Sequence, residues 1–285
     1  MKHDSAALEE VSKQFRADMW RTVCDDAVIE CGIEERWFGP VQVTAFEALP
    51  DAPLLNSVLG AAEPDTVENG SLAAAIEWAD SFGVDYQVPI AHRRPGTAAA
   101  EAWLNREGFE QGHGLVKYVR DASLPDLPGS PEITVWEIGQ EEAHGETMVY
   151  AAEEALGLPA PASSLLFALP VQERWRTYTA ELEGEIVSFG SMLIEGGVAE
   201  LGLDATLEYA RGRGCNRALL RERILAAVEA GCHTLFTELG TGEPDADAAL
   251  GRNLIRAGFI PAYRSTNWRR PGSRMAVDLE SWESL

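Results

Sequence analysis

The chain has 285 residues, with 46 acidic against 23 basic side chains, a net charge of -23 and 46% apolar residues. That length and apolar content suffice for two domains with their own cores, and an acidity spread over both halves excludes bulk nucleic-acid binding as the main role. No window approaches the roughly 18 uninterrupted apolar residues of a membrane span, and the polar start MKHDSAALEEVSKQF lacks the basic and apolar regions of a secretory signal, so a soluble cytoplasmic protein is expected.

Cys24, Cys31, Cys215 and Cys232 show neither a CxxC pair nor zinc-like spacing. They are expected as thiols in or near a core, and no metal is expected.

In chain order, AAEPDTVENGS (61–71) is an acidic turn, and SLAAAIEWADSFGVDYQVPI (71–90) reads as a helix followed by a strand, with Gly83 near the helix end. His92, Arg93 and Arg94 form a small basic cluster, expected on a solvated loop. LVKYVR and ITVWEI are strand-like runs separated by DASLPDLPGSPE (121–132), whose prolines make it the candidate linker. A helix is expected near 139–157. TYTAEL, EIVSFGSMLI and VAELGLDATL then read as three strands joined at EGE and EGG, an antiparallel meander. A helix from near Asn216 carries apolar Ala218, Leu219, Ile224, Leu225 and Val228, and ends at Gly231 before the strand HTLFTEL, where His233 is read as structural.

LNREGFEQGHGLVKYVRD at 104–121 lies 150 residues before LIRAGFIPAYRSTNWRRP at 254–271. Leu, Arg, Gly and Phe coincide at 104/254, 106/256, 108/258 and 109/259, and Tyr118 falls opposite Trp268. Each copy is preceded by a helix and a strand. The chain therefore reads as two copies of one α/β (α+β) unit, 1–125 and 126–285, each a mixed, largely antiparallel sheet flanked by helices.

The stretch ARGRGCNRALLRER (210–223) places five arginines on this acidic chain. A strand, a glycine-rich turn and a helix start in succession expose unpaired backbone N–H groups and the positive end of a helix dipole. Gly212 and Gly214 let a phosphate approach the backbone, and Arg211, Arg213 and Arg217 add charge-assisted bonds. Cys215, at the same helix start, is a second candidate as a covalent nucleophile, with no histidine adjacent in sequence.

With its strand and helix, this stretch resembles the GNAT superfamily of acyl-CoA N-acyltransferases, whose pyrophosphate cradle runs (Gln/Arg)-x-x-Gly-x-(Gly/Ala). Here it reads Arg211-x-x-Gly214-x-Asn216, with Asn216 in place of the small residue, where it crowds the phosphate or caps the helix. NLIRAGF (253–259) is similar to the superfamily's late helix–turn–strand signature. The likeness covers about 135–270, and residues 1–125 resemble a degenerate copy, as in tandem-domain members. The first copy's cradle position carries Glu63, Asp65 and Glu68 and no arginine, so no coenzyme A is expected there.

The resemblance implies acetyl-CoA or a related acyl-CoA as cosubstrate. It also implies a splayed strand whose backbone at Leu203, Ala205 and Thr206 meets the thioester, and a carboxylate base. By period-two alternation Glu200, Gly202, Asp204 and Thr206 share one face, and Leu201, Leu203 and Ala205 the other. Glu200 is the first choice for the base and Asp204 the second. The tyrosine that many members use as the thiolate's acid is replaced by Leu254. Asn253 beside it contacts the coenzyme in this reading, and Tyr263 is a substitute donor. Glu238, Glu243, Asp245 and Asp247 could favour a cationic amine, or simply be a solvated loop.

Three functions stand open. One is N-acyl transfer from acyl-CoA to a small amine. The second is coenzyme A binding without turnover, in a regulatory role. The third is acyl transfer from an aminoacyl-tRNA or carrier protein, met by Arg264, Arg269, Arg270 and Arg274. Monomer and homodimer are both compatible with two such copies.

Overall fold

The computed structural model describes residues 4–21, 25–52, 55–139, 142–156, 163, 166, 169–241 and 244–273. The first half runs α1 (Ser5–Arg21), α2 (Asp25–Cys31), β1 (Ile33–Phe38), β2 (Val41–Phe46), β3 (Ser57–Leu59), α3 (Ser71–Asp80), β4 (Val88–Ala91), α4 (Thr97–Arg106) and β5 (Glu110–Asp121). The second runs β6 (Ile133–Ile138), α5 (Glu142–Leu156), β7 (Trp175–Leu182), β8 (Glu185–Glu195), β9 (Val198–Thr206), α6 (Cys215–Glu229), β10 (Thr234–Gly240), α7 (Pro244–Arg256) and β11 (Ile260–Arg269). The meander β7–β8–β9 and the following helix fall where the alternation and glycine turns predict them.

The repeated Leu-x-Arg-x-Gly-Phe signature has a local cause. At the end of α4, Phe109 N donates to Leu104 O and Gly108 N to Asn105 O; at the end of α7, Phe259 N donates to Leu254 O and Gly258 N to Ile255 O. This is the Schellman C-cap. It needs a left-handed residue, supplied by Gly108 at φ 81° and Gly258 at φ 87°, and an apolar pair across the cap. Leu104, Phe109, Leu254 and Phe259 supply those pairs and are all buried.

Eight strands form one sheet in the order β4-β11-β5-β10-β9-β8-β7-β6, while β1-β2-β3 form a second, tied to the first by a parallel bridge between Ser57 and Gln87. All neighbours in the large sheet are antiparallel except β9 and β10. The equivalent strands β5 and β11 pair with each other, Glu110 opposite Arg269 and Val119 opposite Ile260. A register of that kind maps onto itself when the halves are exchanged, so a local two-fold relates them. Each half gives its last strand to the other: β5 lies against β10, and β11 against β4. The sequence reading of two serial copies did not contain this exchange.

Helix α6 buries Leu219, Leu220, Ile224 and Ala227 against the meander. Helix α1 of the first half reaches the second-half core, where Phe15 packs on Trp175 with ring centroids 4.7 Å apart.

Candidate active site

The start of α6 is open. Its N-cap position is Gly214, at φ 99°, with no side chain bonded to the helix end, and Gly212 before it also has positive φ. The expectation that Asn216 caps the helix is corrected: the N-cap is Gly214, and the Asn216 amide lies 3.5 Å from Asp204 Oδ1. Arg211 donates from Nε to Thr206 O at 3.3 Å, and Arg213 pairs with Glu183 across an exposed turn, a weak tether. Cys215 is buried, and burial pushes its thiol pKa up, against the pull of Arg213, which leaves it a poor nucleophile.

Strand β9 leads into this turn. Its parallel ladder with β10 covers Val198–Leu201 against Thr234–Thr237 and ends there, although β9 continues to Thr206 and β10 to Gly240. Beyond Leu201 the two strands part. The same place carries a β-bulge, where Ser191 pairs with Gly202 but Phe189 pairs with Ala205, and Leu203 takes φ 53°.

The bulge overturns the predicted alternation. Cross-strand partners share a face, so Glu200, Gly202 and Ala205, opposite Leu193, Ser191 and Phe189, lie on one side, and Asp204 on the other. Asp204 is therefore not beside Glu200. It forms a bidentate ion pair with Arg223 of α6, with Nη1 to Oδ2 at 3.1 Å, and Nη1 also donates to Ser191 O at 3.0 Å. Gly190 makes the room: a Cβ there would stand 2.8 Å from Arg223 Cζ. An aspartate committed to a guanidinium that is 1% exposed is a structural partner and a poor second choice for a base.

Glu200 faces α1 and is 6% exposed. Ser12 donates to its Oε1 at 3.3 Å, while Oε2 has no hydrogen-bond partner among the described residues. Burial, then the charge of Glu238, push its pKa up to about 8, against the pull of Lys117 and Arg16.

Three residues that the sequence did not single out complete this cluster: Glu9, Ser12 and Lys117. Lys117 Nζ lies 2.8 Å from Glu9, 2.9 Å from Ser12 Oγ and 3.2 Å from Glu238, and is 3% exposed. Burial works against its charge, but Glu9 and Glu238 hold its pKa well above the usual lysine value. The sequence signal was a lysine inside the apolar run LVKYVR, a buried-strand position that requires partners. Tyr263 lies opposite Lys117 on β11 and donates to Glu9 at 2.6 Å, with its pKa raised by burial. It belongs to a narrow pocket beneath α1 that Glu9, Ser12, Arg16, Lys117 and Glu238 also line.

Leu254 is in the core as half of the Schellman pair, and Asn253 is half-buried with its carbonyl engaged by Ala257 N. Of the acidic residues expected near an acceptor entrance, Glu238 is ion-paired with Lys117; Glu243 and the side chains of Asp245 and Asp247 lie outside the described residues, as do Arg274 and Cys24. His233 is exposed at the start of β10. Arg94 does not sit on a solvated loop but pairs with Glu63 at 2.5 Å, both largely buried. In the first half, the start of α3 is already bonded, with Asn69 Oδ1 accepting from Ser71 N at 2.9 Å. No group of three or more metal-ligating side chains occurs among the described residues, and no described helix is long and apolar enough to cross a membrane.

The fold is that of the GNAT N-acetyltransferases, in a tandem arrangement. The chain is similar to a GCN5-related N-acetyltransferase from Kribbella flavida, with a TM-score of 0.63 at 16% identity over 88% of this chain and 94% of that one. It is also similar to a GCN5-related N-acetyltransferase from Sphaerobacter thermophilus (0.56, 20%, over 76% and 73%) and to a tandem GNAT protein from the clavulanic acid biosynthesis pathway (0.57, 15%, over 80% and 77%). No protein-family model and no curated protein matches the sequence.

Proposed function

We propose that the protein is an N-acyltransferase that moves an acetyl or related acyl group from acyl-CoA to a small amine. The observation that carries this reading is the parting of β9 and β10 after Leu201 and Thr237, immediately before an uncapped, glycine-flanked helix start. Backbone N–H groups at the start of α6, with Arg211 and Arg213, would hold the coenzyme's pyrophosphate, and the backbone at Leu203, Ala205 and Thr206 would meet the acyl carbonyl. Bound acyl-CoA supplies the activated thioester.

The chain's own part is positioning and proton transfer. Glu200 takes the proton of the attacking amine on Oε2, its unbonded oxygen, which is buried and so receives it through an intervening water. A base with a pKa of about 8 is matched to an amine near neutral pH. Tyr263 donates to Glu9 and is not the thiol's acid. A leaving thiol with a pKa near 8.5 needs no dedicated one. Residues 1–125 bind no donor in this reading, because the corresponding turn carries Glu63, Asp65 and Glu68 and no arginine.

The test is calorimetric titration of the purified protein and of Gly214→Glu with acetyl-CoA, followed by thiol release across a panel of amines. Micromolar binding lost in the variant supports the donor site. Absence of binding to the wild type moves the donor to a carrier or tRNA.

A further inference from the structure

We propose that the first half of the chain completes the second half's site. Ser12 and Lys117 are positioning residues that hold one oxygen of Glu200 in series and leave the other free to take a proton. The inference rests on the reading of Glu200 as the base.

The geometry gives each atom one role. The single proton of the Ser12 hydroxyl goes to Glu200 Oε1, and the oxygen of that hydroxyl accepts from Lys117 Nζ. Lys117 donates to Glu9 and to Ser12 Oγ and is ion-paired with Glu238; an ammonium can only donate, so it fixes the direction of the Ser12 hydroxyl. Oε2 is then the oxygen of Glu200 that changes protonation.

The groups that act on Glu200 come from three elements: helix α1 brings Ser12 and Arg16, β5 brings Lys117 and β10 brings Glu238. Two of these elements, α1 and β5, belong to the first half. In the reading above that half binds no donor, and this is the contribution it makes.

Ser12 and Lys117 favour the ionised carboxylate and Glu238 opposes it, so their removal has opposite effects. The experiment follows carboxyl ¹³C resonances of glutamate-labelled full-length protein against pH, with Glu200 assigned by its loss in Glu200→Gln. The wild-type midpoint is expected at about 8. Ser12→Ala and Lys117→Met are expected to raise it by about half a unit or more, Glu238→Gln to lower it, and Lys117→Arg to leave it near wild type. An unmoved midpoint in Ser12→Ala overturns the proposal, as does movement in one direction in all variants, which general loosening gives. If Lys117→Met does not fold, Ser12→Ala and Glu238→Gln decide. Undiminished thiol release by Glu200→Gln would sink the base reading alone, whatever the midpoints show.

Discussion

Half-buried Asp204 pairs with the fully buried guanidinium of Arg223 beneath the β9 bulge, in space that Gly190 leaves empty. Removing one partner strands the other's charge, so Asp204→Ala is expected to lower stability by about 3 kcal/mol in urea unfolding. Asp204→Ala/Arg223→Met should lose less than the sum of the single changes. Additive losses would mean that the two side chains do not act as a pair.

The state of Glu200 predicts two pH dependences. Turnover requires the carboxylate, so kcat/KM should rise with pH through about 8, and Glu200→Gln should be slower by roughly 10²-fold with unchanged acetyl-CoA affinity. Stability runs the opposite way. Between the ordinary carboxyl value of 4.5 and about 8, the folded protein keeps a proton that the unfolded chain has lost, so the contribution is full below 4.5 and gone above 8. Urea unfolding at pH 5 and pH 9 should therefore show Glu200→Gln gaining on the wild type at the higher pH. A constant difference would place the Glu200 pKa near its ordinary value.

At the start of α6, Gly214→Glu should abolish acetyl-CoA binding through charge. Gly214→Ala shares the strain of a side chain at φ 99° and serves as its control. Equal losses in the two variants would assign the effect to the backbone instead.

Cys215→Ala should retain the wild-type rate within about twofold, because a thiol with a burial-raised pKa is a poor nucleophile. A loss of several hundredfold would point to an acyl-enzyme.

Restoring tyrosine at position 254 is expected to give no gain in rate. Leu254 is the apolar partner of Phe259 in the α7 cap, and a ring there overpacks the core by about 1–3 kcal/mol, read as a fall in Tm. Faster thiol release by Leu254→Tyr would show that the missing acid limits the rate.

The meander, the helix after it and the glycine-flanked turn were legible because their signals are local: alternation, paired glycines and an apolar stripe. The repeat at 104 and 254 was legible too, as a cap motif that needs Leu, Gly and Phe at fixed spacing. The bulge at Leu203 was not, because one residue at positive φ leaves no mark on an alternating pattern until its partner strand is known. Lys117 and Ser12 were overlooked for a related reason. Their partners are 105 positions apart or more, brought together by a helix and a strand that cross between halves.

The exchange of β5 and β11 also bears on synthesis. When residues 1–125 leave the ribosome, β5 is unpaired on both sides, because its two partners, β10 and β11, do not yet exist. The large sheet can close only after residue 269 emerges, so its central ladders form last and from distant pieces of chain. Until then the nascent chain exposes a strand that another copy's β10 or β11 could capture, which makes domain-swapped assembly the characteristic error of this architecture.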